Sequence, residues 1–180
     1  MNANTTAAPL LGQGFYFQDL QVGQQFRTFR RTVTETDLVD FISCTGMLEA
    51  IFIEEGYEGG AIAGRPVPGA LTYTLIEGFI LQTMIQGTGL AMLELTQKIH
   101  RPVLVGDTIR AVITVTQVRP TSSRNRAVVT SDIDVLNQRD ELVMNYTATR
   151  LLAGRPARSP LSSAQSTQAG VLPPAGATTA

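Results

Sequence analysis

The residues with the clearest capacity for chemistry stand at the start of one apolar segment, Gly64–Gly87. Its first residues, GRPVPG, form a turn rich in glycine and proline, and a helix is predicted to begin at about Gly69 or Ala70 and to run to Gln86. The first backbone N–H groups of a helix lack partners within it and carry the positive end of its dipole. Gly69 is therefore a candidate donor to a partly negative oxygen.

Two carboxylates that precede this segment, Glu49 and Glu54, are candidates for proton transfer. If residues 47–55 form a short helix, a spacing of five residues separates the two side chains by about 140°. At most one of them then points towards a site at Gly69. Ionised carboxylates are usually solvated surface groups, and that ordinary role stays open for both.

The chain has one histidine, His100, and one cysteine, Cys44. His100 is predicted to be a surface residue at the end of a strand, directly before Arg101 and Pro102. Cys44 is predicted to be a buried, unreactive thiol in a short helix. One histidine and one cysteine without a CxxC pattern do not provide the ligands of a structural zinc site, so we expect no metal.

The apolar segment needs other elements around it. Its apolar side chains leave no full face for water, which is typical of a helix that is buried in a protein or spans a membrane. Polar residues interrupt it, and a span needs about 20 apolar residues, so we predict a buried helix and no membrane partner. Alternating apolar and polar residues predict five strands. These strands are Gln25–Val33, Leu90–His100, Thr108–Val118, Arg126–Leu136 and Glu141–Leu152.

A shorter helix is predicted between the first strand and the apolar segment. Thr34 and Asp37 form a variant of the capping box at its start, and Gly46 ends it as a C-cap. One long helix laid across an antiparallel sheet is an α+β layer arrangement. Such a sheet leaves an exposed edge unless a second copy covers it, so we expect a homodimer or a higher homo-oligomer.

Composition limits the functions that the chain can have. Its 180 residues suit one domain, and a hydrophobic content of 43% is ample for a core. A net charge of −1 gives no electrostatic case for binding nucleic acid. The single cysteine and the absence of a secretory signal favour a cytoplasmic location. We expect residues 1–13 and 153–180 to be disordered and residues 14–152 to form the domain.

Three stretches resemble the MaoC-like dehydratases and R-specific enoyl-CoA hydratases. GRPVPGALT at residues 64–72 is similar to the family's GR-x-x-(H/P)-G-(M/A)-L-T, which starts the central helix. RPVLVGDT at residues 101–108 is similar to its x-PV-x-x-GDT strand connector, and residues 123–126 and 137–143 are similar to its last two turns. The resemblance spans roughly Phe15 to Leu152. It implies a hot-dog fold, in which an antiparallel sheet wraps around one long central helix.

The resemblance also locates the family's catalytic dyad, which belongs to a G-D-x-N-P-(I/V)-H segment. The matching residues here are GMLEAIF at 46–52, so Met47 stands where the family has aspartate and Phe52 where it has histidine. Neither side chain can transfer a proton. Because Glu49 lies beside the dyad positions, we predict that it serves as a relocated base. The resemblance further implies that the Gly69 amide polarises a thioester carbonyl.

The expected ligand is an acyl thioester of coenzyme A or of a carrier protein, in which coenzyme A is part of the substrate and not a cofactor. The expected substrate-binding residues surround the helix start and the dyad positions: Met47, Phe52, Arg65, Val67, Pro68, Gly69 and Ala70. Four arginines near strand ends are further candidates for the phosphates of coenzyme A, since guanidinium groups match phosphate geometry. They are Arg101, Arg119, Arg124 and Arg126.

Three functions remain open. The first is a hydratase or dehydratase with a relocated base, and the second is a non-catalytic thioester-binding or assembly subunit that has lost the dyad. The third is a hot-dog thioesterase, which usually carries its carboxylate on the central helix. Glu77 is the only acid in that helix and lies two turns from its start, which disfavours the third function.

Overall fold

The computed structural model describes residues 10–157. The order of elements in this part of the chain confirms the prediction of a strand region, a short helix, a long helix and four long strands, and a second short helix lies within residues 47–55, which the sequence left open. The elements are β1 Gln25–Arg27, β2 Arg31–Thr32, α1 Glu35–Thr45, α2 Ala50–Ile53, α3 Gly69–Phe79, β3 Gly89–Ile99, β4 Thr108–Pro120, β5 Arg126–Leu136 and β6 Leu142–Ala153. Disorder was predicted for residues 1–13 and 153–180, and most of these residues, 1–9 and 158–180, lie outside the described part of the chain; Ala153 is the last residue of β6.

The strands form one antiparallel sheet in the order β1-β4-β5-β6-β3, and β2 also pairs with β4. In the middle of the sheet, Ile133 lies opposite both Ile113 and Tyr146, so the inward-facing side chains of three strands are in register. The strand that follows α3 in the chain, β3, pairs only with β6 among the described strands and forms an edge.

The helix α3 packs against one face of this sheet. Its side chains Leu71 and Ile76, and Ile80 directly after it, are at most 3% exposed and belong to one apolar core with Ile133 and Met144 of the sheet. Fully burying a Leu or Ile side chain contributes about 1.5–3 kcal/mol. The prediction of an antiparallel sheet around one central helix is therefore confirmed.

The helical region changes its hydrogen bonding before its end. Regular α-helix stops at Phe79, and residues Ile80–Met84 form a π-helical turn, in which Ile85 N donates to Ile80 O at 3.1 Å. The Thr83 hydroxyl also donates to Phe79 O at 2.6 Å. The prediction of a regular helix up to Gln86 was thus too long, because the wider turn interrupts it.

The predicted strand Gln25–Val33 is broken into β1 and β2. At the break, Thr28 N donates to Ala111 O at 3.0 Å, and Ala111 N donates to Thr28 Oγ1 at 2.9 Å. A side-chain hydroxyl therefore replaces a backbone carbonyl in the ladder. The pattern of apolar and polar residues does not reveal this break, because threonine is also common in unbroken strands.

The helix α1 begins as predicted. Asp37 N donates to Thr34 Oγ1 at 3.1 Å, Thr34 N donates to Asp37 Oδ2 at 2.9 Å, and Gly46 ends the helix with a positive φ of 73°. The prediction of a buried Cys44 was wrong, since its side chain is exposed. The helix buries Leu38 and Ile42, and a residue two positions beyond Ile42 points about 200° away from that face.

No helix within residues 10–157 is both long enough and apolar enough to span a membrane.

Candidate active site

The site is built around the first turn of α3. Gly69 is the first helical residue and follows Pro68, which provides no side-chain cap. The carbonyl of Pro68 accepts from Leu71 N at 2.9 Å and from Thr72 N at 3.3 Å. Within residues 10–157 no hydrogen bond engages the N–H groups of Gly69 and Ala70. Two aligned donors are thus available for an oxygen that carries negative charge.

A cavity of about 340 Å³ opens beside Gly69. Its walls include Val67, Gly69, Ile99 and Met144. A Cβ atom at position 69 would clash with Cδ1 of Ile99, so glycine permits the close approach of β3 to the helix start. The predicted binding residue Val67 is buried in this wall.

A second cavity of about 440 Å³ lies against the same turn. It collects most of the predicted site residues, and two of them, Phe52 and Gly69, also line the first cavity. Its lining includes Met47, Glu49, Phe52, Pro68, Gly69 and Ala70. The positions at which the family carries its dyad therefore face the helix start, although the side chains there are apolar.

Glu49 lies at the rim of this second cavity, exposed, directly before α2. Its backbone carbonyl accepts from Phe52 N at 2.8 Å, while its side chain makes no capping bond. Glu54 follows α2 at its other end and lines neither cavity. The sequence offered both carboxylates as candidates for proton transfer. Glu49 lies at the helix start, and Glu54 does not.

Arg65 takes a different position from the other predicted binding residues. Its Nε and Nη2 donate to the Phe52 carbonyl at 3.2 and 3.1 Å, and Nη1 pairs with Glu35 at the start of α1. It lines neither cavity. Arg65 thus ties α2 to α1 and fixes the backbone that carries Phe52.

His100, for which sequence analysis predicted only a surface role, is exposed and also lines the 340 Å³ cavity. Its Nε2 lies 2.8 Å from Asn145 Oδ1. If Oδ1 faces the ring, Nε2 carries the proton and Nδ1 remains an acceptor. Strand pairing explains this position: the preceding residue, Ile99, pairs with Met144, and both of them line the cavity beside Gly69.

The four candidate arginines are divided between opposite ends of the sheet. Arg101 follows β3 and lines the 340 Å³ cavity, near Gly69. Arg119 and Arg126 lie at the end where β4 and β5 meet, and Arg124 occupies the turn between these strands with a φ of 61°. Arg101 is the one of these four that is placed beside the helix start.

Among residues 10–157, no group of three or more His, Cys, Asp or Glu side chains is arranged to hold a metal ion.

A central helix wrapped by an antiparallel sheet, with unpaired amides at its start, defines a hot-dog protein. The family model for the FAS1-like dehydratase domain region matches residues 20–146. The chain belongs to this family of MaoC-like hydratases and dehydratases.

Similar proteins agree with this assignment. An (R)-specific enoyl-CoA hydratase from Rhodospirillum rubrum is 28% identical over 106 residues, which are 58% of this chain and 72% of that protein. The crystal structure of a MaoC-like dehydratase from the same organism is 25% identical with a TM-score of 0.72, covering 80% of this chain and 100% of the other. These similarities confirm the family that the sequence motifs predicted.

The fold class is also confirmed. A protein from Mycobacterium tuberculosis with a double hot-dog fold matches with a TM-score of 0.73 and 20% identity. The alignment covers 82% of this chain and 46% of that protein.

Proposed function

We propose that this protein binds an enoyl or 3-hydroxyacyl thioester, of coenzyme A or of a carrier protein, and interconverts the two by hydration and dehydration. The observation that carries the proposal is the pair of N–H groups at Gly69 and Ala70 without partners among residues 10–157; Gly69 lines both cavities and Ala70 lines the second. A thioester carbonyl held there becomes more negative as an enolate develops. Donors of this kind contribute about 3 kcal/mol to the transition state.

Hydration needs a base as well as these donors. Water gives a proton to the base, its oxygen bonds to C3 of the enoyl group, and C2 takes up a proton as the enolate collapses. Since Met47 and Phe52 cannot accept a proton, we propose Glu49 as the base. His100 is the second candidate, because it lines the cavity that Gly69 shares and imidazole both accepts and donates protons near neutral pH.

Turnover of crotonyl-, hexenoyl- and dodecenoyl-CoA tests the function, with binding of the same thioesters measured by calorimetry. We expect turnover of at least one substrate, and we expect Glu49→Gln to lower kcat by about a hundred-fold or more. Glu54→Gln is the matched control and should leave kcat unchanged. If His100→Gln lowers kcat and Glu49→Gln does not, the base is His100.

A second candidate function is a non-catalytic thioester-binding subunit. The apolar Met47 and Phe52 beside the helix start favour it. Binding without turnover by the wild-type protein would support this function and refute the first. If neither the acyl-CoA thioesters nor the same acyl groups on a carrier protein bind, both are wrong. A thioesterase is less well supported, because Glu77 is eight residues from Gly69, about 12 Å along the helix axis.

We also propose that two copies pair through β3. The register places Met92, Leu95 and Ile99 opposite Arg150, Ala148 and Met144, on the side of the sheet that faces α3. These three side chains are 38–53% exposed. An apolar edge of this length favours pairing with a second copy. The proposal includes a cytoplasmic location and no cofactor beyond the coenzyme A portion of the substrate.

A further inference from the structure

A pocket rich in arginine lies at the edge of the sheet opposite β3, where β1 and β2 pair with β4. Its volume is about 500 Å³, and we call it the arginine pocket. It is lined by Arg27, Thr28, Phe29, Arg30 and Arg110. None of these residues lines either cavity at Gly69, and none belongs to β3.

The arginine pocket opens on the outer face of the sheet. Ile109 and Ala111 are fully buried in the core, so Arg110 between them points to the opposite face. Val112 shares that face with Arg110, and Arg27 pairs with Val112. Two guanidinium groups from neighbouring strands therefore lie on the same face of the sheet, outside the core.

The charges of this pocket are only partly compensated. Arg110 Nη2 donates to Asp140 Oδ1 at 2.8 Å, and Arg30 Nη2 lies 3.8 Å from the same oxygen. The hydrogen bond from Arg110 lowers the pKa of Asp140, so this carboxylate stays charged. No other carboxylate within residues 10–157 forms an ion pair with the three arginines. Three guanidinium groups against one carboxylate leave a net charge of +2, which favours an anion.

An exposed aromatic ring accompanies these charges. Phe29 lies at the break between β1 and β2, and its side chain is 80% exposed. Thr28 fixes the backbone at the break, because its hydroxyl donates to the Phe29 carbonyl at 2.8 Å and accepts from Ala111 N at 2.9 Å. One exposed aromatic side chain is ordinary by itself. A fixed ring in the same pocket as three arginines suits a ligand that has both a flat ring and anionic groups.

We propose that the arginine pocket is a nucleotide site, separate from the thioester site, and that it takes a purine nucleoside diphosphate. The base stacks on the Phe29 ring, and the phosphate oxygens bind the guanidinium groups of Arg27 and Arg110. Guanidinium groups match phosphate oxygens in geometry, and the volume of the pocket lies in the range of small-molecule sites. The hydrogen bond to Asp140 holds Arg110 in place before a ligand arrives.

Calorimetry of the full chain with ADP and GDP tests the proposal. We expect saturable binding of one nucleotide per chain, with similar affinity for both, because stacking on an aromatic ring does not read the edges of a base. Adenosine has no phosphate and inorganic diphosphate has no ring. Each should therefore bind about tenfold more weakly than ADP or worse.

Three variants locate the nucleotide. Arg27→Met and Phe29→Ser should each weaken ADP binding by about tenfold or more, and both residues are exposed, so the fold should not change. Phe29→Tyr keeps the ring and should bind ADP like wild type. Arg139→Met is the matched control, because Arg139 is an exposed arginine that pairs with Glu141 at 2.8 Å, next to Asp140 but outside the pocket. It should leave the affinity for ADP nearly unchanged.

Displacement of ADP by crotonyl-CoA distinguishes a free nucleotide from the nucleotide end of coenzyme A. If the sites are separate, crotonyl-CoA should displace ADP no more tightly than ADP binds, in wild type and in Gly69→Ala alike. If crotonyl-CoA displaces ADP about tenfold more tightly, and Gly69→Ala removes this advantage, one thioester spans both sites and the proposal is wrong. Binding of ADP needs no thioester, so a failure of the proposed hydration does not affect this result.

Four other results would overturn the proposal. They are no saturable binding of ADP or GDP, adenosine or diphosphate binding as tightly as ADP, wild-type affinity in Phe29→Ser, and an equal loss of affinity in Arg139→Met and Arg27→Met. The last result would show a diffuse attraction to positive charge. Tighter binding of a single-stranded oligothymidine than of ADP would also refute it, because the partner would then be a nucleic acid.

Discussion

At the scale of single residues, the helix start depends on the absence of a side chain at position 69. An added Cβ would contact Cδ1 of Ile99, the far end of a flexible and half-exposed side chain. Ile99 can therefore rotate away, at the expense of the space beside the amide. The main effect of a methyl group here should fall on ligand binding and not on folding.

We expect Gly69→Ala to weaken binding of crotonyl-CoA by about tenfold or more and to change the free energy of unfolding by less than about 1 kcal/mol. Calorimetry and urea unfolding measure the two quantities. Gly78→Ala makes the same chemical change in the same helix, where the new Cβ meets open space. It should leave thioester binding unchanged, and equal losses of affinity in both variants would refute the role of Gly69.

Sequence patterns predicted some of these residues better than others. The resemblance to the family brought Met47, Glu49, Phe52 and Gly69 together, because the family's motifs match one short stretch of chain before and at the helix start. It gave His100 only a surface role, because that residue reaches the site through strand pairing across a long separation in sequence. Sequence analysis also misplaced Cys44, although the spacing of the buried residues Leu38 and Ile42 puts residue 44 on another face of that helix.

At the scale of elements, a buried cluster of Glu77, Tyr146 and Arg150 connects the central helix to the sheet. Arg150 Nη2 donates to Glu77 Oε1 at 2.5 Å, and the Tyr146 hydroxyl donates to the same oxygen at 2.7 Å. Removing one partner of a buried ion pair leaves a charge without compensation and destabilises a protein by about 3–5 kcal/mol. Methionine is close to arginine in length and adapts to an apolar site. Arg150→Met should therefore lower the free energy of unfolding by this amount, as measured by urea unfolding.

The double variant Glu77→Leu/Arg150→Met should recover most of that loss, because neither charge remains buried. The recovery should be incomplete, since the Tyr146 hydroxyl loses its acceptor. If the double variant is less stable than Arg150→Met, leaving Glu77 buried without its partner cannot be the main cause of the loss in Arg150→Met. Such a result would contradict this account of the cluster.

The sequence predicted which segments form helices and strands and in what order, but it did not predict the interruptions and contacts that depend on distant residues. The capping box at Thr34 and the turn at Asn137 are local, and local chemistry determines them. The break at Thr28 depends on Ala111, which lies 83 residues away. The cluster at Glu77 likewise depends on Tyr146 and Arg150 of β6, so sequence identified an acid in the helix but not its partners.

At the scale of the whole molecule, the uncovered edge strand predicts assembly. If two copies pair through β3, the protein should sediment at twice the mass of the 19.4 kDa chain. Leu95→Lys introduces a charge on the face of β3 that the partner would bury, and should give a monomer in analytical ultracentrifugation. Val22→Lys changes an exposed valine in a turn outside the strands and should leave the mass unchanged.

The edge strand has a further property that bears on aggregation. Its pairing with β6 shifts register twice, between Gly89 and Ala91 and between Met92 and Glu94, so its first half contains two bulges. Bulges twist an edge away from the flat geometry that stacked, fibril-forming strands require. The longest regular stretch of pairing is therefore Glu94–Ile99, which is long enough for one partner of matching shape and too short to template an open-ended fibre.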